Sequence, residues 1–484
     1  MLLTAFIFIY LEIDYLFRIN FLHYKNKFIK FNICSMKRLI LPTIALLQKS
    51  VYIFLIIIVF SANKSFSSPG DTTWVTTFNQ NFQNWADVHY GNFTLPDTST
   101  HYKQILMYYT IGCPAAGCDP WDRLGWIRLD VDSSTKYEIA RVITPYNIVG
   151  SGYPGQCVFV IDVTDYMPLL HDNVRLGSYI ESWIGGTRGW LVTVKFAYIE
   201  GEIENKPFKV VNLWQNNHVL YGDPATPPES YLTPQTVMID PQTSKAKVRL
   251  TNTGHGQGNT DNAAEFSFKI HQVKVGNDIT DQSLWRGDCS VNPCSPQGGT
   301  WQYARAGWCP GASVIPFEVD ATNSVTPGSN TVIDYDLQPY ENFCRPSNPL
   351  CITGSTCSDC NYNNNGHTEP HYTIQGQLIL YKPNPNAHVT VLSSEVPNSF
   401  KLIQNYPNPF NPVTKIKFDL QKKSDIKLSV FDVQGKFIQT LVKGELTPGS
   451  YQTEWNAADF PSGIYFYRLE AEGNVFSKRM MLVK

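Results

Sequence analysis

A chain of 484 residues is too long for one hydrophobic core, so several folded units are expected. With 17% charged residues and a formal net charge of -2, it lacks the basic field that phosphate backbones attract, which excludes nucleic acid as a partner. Aromatic residues make up 13% of the chain, beside 32 Gly and 31 Pro, a balance that suits short strands joined by many turns and leaves little room for long amphipathic helices.

Lys37 and Arg38 precede an apolar run, Val51 to Phe60, and the small residues Ser65, Ser67 and Ser68 follow it. This is the order of a secretory signal peptide. Residues 1–68 are therefore set aside as a signal, with Met36 as the natural start and an extension before it. The run is shorter than the about 20 residues of a bilayer span, but Leu39 to Leu47 lengthens it, which keeps an uncleaved anchor as the alternative. Export changes the reading of cysteine. Beyond Cys34 ten remain, an even number that argues for disulfides in an oxidising compartment.

Ile105 to Tyr109, Trp126 to Val131 and Trp190 to Phe196 are apolar or alternating runs rich in aromatic and β-branched residues, and they are predicted as strands. A second set, Lys247 to Leu250, Phe266 to Ile270 and Tyr372 to Tyr381, lies beyond the proline-rich stretch Pro224 to Pro234. Two successive β-sandwiches are expected, at residues 69–207 and 208–382, with their boundary between Lys206 and Pro234. Late in the second, Cys357 and Cys360 followed by His367 and His371 resemble a zinc site. The Asn-rich spacer Asn361 to Gly366 is short for one, so disulfides in a surface insertion are preferred, and no metal or cofactor is expected.

A turn-rich linker over 383–398 then leads to a small immunoglobulin-like sandwich at 399–484. Its opening, Gln404-Asn-Tyr-Pro-Asn-Pro-Phe-Asn-Pro412, and its ending, Met480-Met-Leu-Val-Lys484, resemble the C-terminal sorting domain of type IX secretion. The resemblance implies that the partner of this piece is the secretion machinery and that the protein is secreted or attached to the cell surface. An ordinary immunoglobulin-like accessory domain is the alternative. Either would address or anchor the protein and perform no chemistry.

The middle of the chain has no Gly-x-Ser-x-Gly elbow, His-Glu-x-x-His, phosphate loop or dinucleotide fingerprint. What stands out is Cys113-Pro-Ala-Ala-Gly-Cys-Asp-Pro-Trp-Asp-Arg123. A loop closed by Cys113 and Cys118 runs straight into an acidic, aromatic and basic cluster and would hold Asp122 rigidly. This segment resembles the peptide-N-glycosidase F family, and so do Gly91 to Pro96, Ile143 to Tyr146, Ile161 to Asp165, Glu181-Ser-Trp183, Gly254-His255, Ala264-Glu265 and Arg305-Ala-Gly-Trp-Cys-Pro-Gly311, all in the family's order. The coverage runs from about Asp71 to Lys382. The resemblance implies two adjacent antiparallel jelly-roll sandwiches with the active site in the cleft between them, no cofactor, a monomer, and N-glycosylated peptides or glycoproteins as substrates.

By position within these motifs, Asp122 corresponds to the family's principal catalytic aspartate, and Glu181 and Glu265 to the two glutamates that support it. The implied reaction is hydrolysis of the amide between an N-linked glycan and asparagine. Such an amide is a poor electrophile with a poor leaving group. A base must activate water, an acid must protonate nitrogen and a donor must stabilise the oxyanion. Asp122 is assigned the main acid–base role, Glu265 assists the water, and Glu181 positions groups across the cleft. Trp121, Arg123, Trp183, His255, Arg305 and Trp308 are carried over as substrate-binding residues, since guanidinium donors and aromatic faces suit sugar rings. Cys289 and Cys309 correspond to a family disulfide, while the partners of Cys157, Cys294, Cys344, Cys351, Cys357 and Cys360 stay open.

The chain departs from the family where Ala263 and Ser267 replace two cysteines flanking Glu265, and where Thr253 replaces a tryptophan before Gly254-His255. A non-catalytic secreted glycan-binding protein on the same scaffold is the alternative function, and retention of all three acids argues against it. A copper monooxygenase, which shares the paired jelly-roll architecture, would need histidine-rich copper sites, and the chain has no His-x-His.

Overall fold

The computed structural model describes residues 71–153, 155–384, 389–393 and 395–484. The signal segment read from the sequence lies outside them. Apart from three single helical turns, every element described is a strand, and all sheets are antiparallel.

The first sandwich is built from β1 (Thr72–Thr76), β2 (Asn81–Gln83), β3 (His89–Thr94), β4 (Tyr102–Gly112), β5 (Leu124–Asp130), β6 (Lys136–Ile143), β7 (Gln156–Asp162), β8 (Asn173–Ile180) and β9 (Trp190–Glu200). One sheet has the order β1-β9-β4-β7 with β2 also on β9, and the other is β3-β8-β5-β6. Alternation decides the faces: along β7, buried and exposed residues alternate at every step. Ile105, Met107, Tyr109 and Ile111 of β4 meet Ile127 and Leu129 of β5 and Leu176 and Ile180 of β8 in one core.

The second sandwich uses β10 (Asn205–Leu220), β11 (Gln235–Met238), β12 (Lys245–His255), β13 (Ile270–Val275), β14 (Asp278–Ser283), β15 (Phe317–Asp320), β16 (Asn330–Asp336) and β17 (His371–Pro383), in sheets β10-β17-β12-β15 and β11-β16-β13-β14. Its middle strand β17 is buried over nearly its whole length between β10 and β12. Gly376 in β17 is required, because a Cβ there would lie 2.4 Å from the Trp214 ring. The strand expected over Phe266 to Ile270 begins only at Ile270. The alternating aromatics before it belong to a loop, where Phe266 packs under the Arg305 guanidinium at 5.1 Å and Phe268 meets Trp285.

The third sandwich uses β18 (Thr390–Ser393), β19 (Lys401–Leu402), β20 (Val413–Leu420), β21 (Ser424–Phe431), β22 (Phe437–Leu446), β23 (Gly449–Asn456), β24 (Gly463–Ala471) and β25 (Asn474–Leu482), in sheets β18-β23-β20-β19 and β22-β21-β24-β25. It has its own core around Phe418, Leu428, Trp455 and Tyr467. The stretch 383–398 is not all linker: β18 pairs with β23, and Val389 and Val391 pack against this core.

The first two sandwiches meet through an extensive junction. Leu124, Trp126 and Ile143 from one side share an apolar cluster with Trp308 and Val314 from the other. Arg141, almost wholly buried, donates from Nη1 to Thr253 Oγ1 at 3.0 Å and to the Thr373 carbonyl at 2.7 Å, while its Nε donates to Glu138 at 2.7 Å. Asp165 accepts from Lys247 at 2.8 Å and Arg249 at 3.1 Å. Burial alone would raise its pKa, but those two cations and the Tyr381 hydroxyl bonded to it hold it below the usual value. Cys157 and Cys294 add a covalent crosslink between the sandwiches.

Candidate active site at the junction of two sandwiches

The Cys113–Cys118 disulfide closes the loop between β4 and β5, and Asp119, the next residue, is fully buried. A buried carboxylate needs partners, and Asp119 has three. It accepts from Arg123 Nε at 2.9 Å, from Ser182 Oγ at 2.7 Å and from the Trp121 backbone N–H at 3.0 Å. Thr144 fixes the same turn from beneath, accepting from the Arg123 N–H and donating to the Trp121 carbonyl. Asp122 is thus carried on a segment tied at both ends. Its carboxyl is raised to about 6 by burial, with Arg305 and Arg123 acting against the rise.

Glu265 comes from the loop between β12 and β13. Its N–H donates to the Gly256 carbonyl, and its carbonyl accepts from Ala306 N–H. Its side chain accepts from Arg305 Nε at 3.3 Å. Burial raises its pKa to about 7, the neighbouring Asp122 carboxylate adds to the rise, and Arg305 opposes it. The Arg305 side chain is nearly completely buried. Its Nη1 donates to the Thr300 and Tyr303 carbonyls, and Trp308 packs beneath it at 5.0 Å. Asp122, Glu265 and Arg305 therefore form one electrostatic unit.

Glu181 follows β8, its N–H bonded to the Leu124 carbonyl. With Ser182 turned inward to Asp119, Glu181 and Trp183 both point outward and are exposed. The surrounding protein mass still raises the Glu181 carboxyl, against the pull of Arg123 and His218. Glu181 joins the other two acids through Arg123, which stands beside both Glu181 and Asp122.

His255 lies in a stack. Its ring faces Trp308 at 5.4 Å and His371 at 5.3 Å, and His371 in turn faces His218 at 4.1 Å. Burial drives the His255 pKa well down, with His371 and Arg141 adding to the effect, and His371 falls to about 4 for the same first reason. Both rings are neutral at neutral pH. His255 Nε2 pairs with Thr253 Oγ1 at 3.0 Å, and that oxygen already accepts from Arg141, so the hydroxyl proton is available to the imidazole. Trp308 is itself buried, with its indole N–H on the Gly254 carbonyl at 2.7 Å. Trp308 and His255 thus form a stacked floor on which Arg305 packs. Trp121 and Trp183, each 53% exposed, form the rim.

Disulfides Cys289–Cys309, Cys344–Cys357 and Cys351–Cys360 stabilise the loops around the second sandwich. With Cys357 and Cys360 engaged in two of them, the zinc reading of that cluster falls. Among the described residues no group of three or more His, Cys, Asp or Glu side chains could hold a metal ion.

Chemically, two neighbouring carboxyls with pKa values of about 6 and about 7 beside a buried guanidinium can divide acid and base work. Sequence reasoning assigned no role to Asp119, Ser182, Arg141 or His218, and considered His371 only as a zinc ligand, whereas it stacks between His218 and His255. Asp119 stood inside the singled-out motif, and its signal was its place next to a loop-closing cysteine.

Residues 228–357 match the family described as Peptide-N-glycosidase F, C terminal, and residues 404–484 match the Secretion system C-terminal sorting domain. The latter makes this an exported protein, secreted or held at the cell surface. A peptide-N(4)-(N-acetyl-beta-D-glucosaminyl)asparagine amidase F of Elizabethkingia miricola is 33% identical over 261 residues, which span 52% of this chain and 72% of the relative. The solved structure of PNGase F, a glycosylasparaginase from Flavobacterium meningosepticum, is 28% identical, covers 65% of this chain and 96% of its own, and superposes with a TM-score of 0.53. A recombinant peptide:N-glycanase F structure gives the same score at 29% identity. With the paired sandwiches in place and this share of the relative aligned, the chain belongs to the peptide-N-glycosidase F family.

Proposed function

We propose that this protein is a peptide-N4-(N-acetyl-β-glucosaminyl)asparagine amidase, which hydrolyses the amide joining an N-linked glycan to asparagine and leaves aspartate and a glycosylamine. The observation that carries this reading is the Asp122–Glu265–Arg305 unit at the junction of the sandwiches, with carboxyl pKa values of about 6 and about 7. Near neutral pH, ionised Asp122 accepts a proton from the attacking water while Glu265 holds one to return to the leaving nitrogen. The Arg305 guanidinium, bonded to Glu265, favours negative charge building on the amide oxygen. Glu181, whose carboxyl Arg123 draws down against the rise from burial, positions sugar hydroxyls. Trp121 and Trp183 offer aromatic faces to the rings, since sugar C–H faces pack on aromatic surfaces while hydroxyls take hydrogen bonds. Trp308 and His255 hold Arg305 and the floor in register.

The test is incubation of the mature protein with an N-glycopeptide in water, followed by mass spectrometry, beside Asp122→Ala. The expected result is release of the whole glycan and a peptide about one dalton heavier, asparagine having become aspartate, with the wild type only. A glycopeptide bound but unchanged by the wild type would make the chain a glycan-binding relative.

A further inference from the structure

Two residues beyond Glu181, Trp183 opens onto a second exposed aromatic side chain. Trp85, in the segment between β2 and β3, is 52% exposed and meets Trp183 edge to face at 5.5 Å between ring centroids. Neither ring is filling a core. In a soluble protein each would be expected to bury its large apolar area, and these two instead form a continuous ledge open to solvent.

The ledge is built rather than incidental. Asn84 Nδ2 donates to the Gly186 carbonyl at 2.7 Å, and Gly185 N–H donates to the Asn84 carbonyl at 3.0 Å. Gly189, at φ +151, lies so close to the Gln83 carbonyl that a Cβ would come within 2.5 Å of it. Gly189 N–H then reaches the Gly117 carbonyl at 3.2 Å, and Arg188 Nη2 reaches the Cys118 carbonyl at 2.8 Å. The segment carrying Trp85 is therefore clamped to the loop carrying Glu181 and Trp183, and that loop to the disulfide loop that leads into Asp122. Two aromatic faces held in fixed relation to the acids present a preorganised surface with little rotamer entropy left to lose on binding. Asp87, two residues on, keeps an exposed carboxylate beside His89, an acceptor of the kind sugar hydroxyls use.

Resting on the amidase reading, we propose that Trp85 forms an outer subsite with Trp183 for a pyranose ring of the N-glycan, beyond the sugars next to asparagine. The occupant is a neutral sugar rather than a peptide side chain, because Trp183 stands two residues from Glu181 on the loop that Ser182 ties to Asp119, so the ledge adjoins the side of the site assigned to sugar hydroxyls. Trp85 acts on substrate choice, with no part in the bond-breaking step. It makes long glycans better substrates than short ones.

The experiment compares two glycopeptides with the same peptide, one carrying only the two sugars next to asparagine and one the complete N-glycan, using wild type, Trp85→Ala and Trp85→Phe. The advantage of the complete glycan, read as the ratio of the two kcat/KM values, is expected to fall about tenfold in Trp85→Ala through KM, and to recover largely in Trp85→Phe. A loss of equal size on both substrates means a structural role and overturns the proposal, as does an unchanged ratio. If the wild type turns over neither peptide, the amidase reading fails by itself. Quenching of tryptophan fluorescence by the free complete glycan then still decides the ledge: weaker binding by Trp85→Ala supports it, and equal binding sinks it.

Discussion

Asp122 and Glu265 hold their protons above the ordinary carboxylate range because the folded chain surrounds them with low-dielectric protein, and Arg305 only partly compensates. The pH sign follows. A carboxyl raised in the folded state contributes stability that is full below its unfolded pKa and is lost as pH rises, here through about 6 for Asp122 and about 7 for Glu265. Above that window the fold carries two ionised acids at a penalty of about 3 kcal/mol each. Asp122→Asn should therefore abolish turnover yet raise the urea unfolding free energy by about 1–2 kcal/mol at pH 8, with almost no gain at pH 4. An equal gain at both pH values would contradict this account. The same pair predicts a bell-shaped kcat/KM profile with its maximum between about pH 6 and 7. Asp119 works at one remove. Asp119→Ala leaves Arg123 and Ser182 without their shared acceptor, so stability should fall by about 2–3 kcal/mol, and kcat should fall with KM less affected. Asp122 was legible because its motif is distinctive. Asp119 was not, because its place beside a loop-closing cysteine does not by itself separate an acid that meets substrate from one that organises its neighbours.

The loop from Gly256 to Lys269 carries Glu265 without flanking cysteines of its own, and the disulfide-rich insertion after β16 braces it. Thr260 N–H donates to Asn342 Oδ1 at 3.3 Å, Phe343 N–H donates to Thr260 Oγ1 at 2.9 Å, and Tyr340 OH donates to the Thr260 carbonyl at 2.6 Å. Gln257 and Thr368 exchange two hydrogen bonds, both at 2.9 Å. Gly258 passes so close to the Gly366 carbonyl that a Cβ would sit 2.7 Å from it. Replacing Cys344 and Cys357 together by serine should lower kcat severalfold with little change in KM, because the acid loses its register while the rim stays. Activity and thermal unfolding measured on the same preparation check this: loss of activity in step with loss of folded protein would mean only unfolding. The even cysteine count implied disulfides, but spacing alone does not set pairing, so Cys344–Cys357 and Cys351–Cys360 were left open. Strand alternation misled at Phe266 to Ile270, where aromatics at every second position serve a cation and a neighbouring tryptophan instead of a sheet.

Two sandwiches sharing a buried ion network and a crosslink behave as one body, and the third, with a separate core, addresses the molecule. Ending the chain after Asn384 should leave kcat/KM on a glycopeptide within about twofold of the full protein, while export of the protein is lost. A large fall in kcat/KM would show that the last sandwich serves the site. The proline-rich stretch Pro224 to Pro234 lies within the second sandwich, between β10 and β11, whereas the run of short strands and turns and the two end motifs made the plan of successive sandwiches legible. How the first two interlock was not, because Arg141, Asp165 and Gln377 meet partners about a hundred or more residues away. On acidification the Asp165 contribution is lost as its lowered carboxyl gains a proton, so the junction weakens from the acid side. The Cys157–Cys294 bond has a consequence in time as well as in space. It closes a loop of 137 residues, worth about 5 kcal/mol in chain entropy, and it can form only once the chain has been made as far as Cys294. The first sandwich therefore cannot be locked during its own synthesis. Its last fastening waits for half of its neighbour to exist and for both to reach an oxidising compartment, so the paired sandwiches are completed only after the chain has left the cytoplasm.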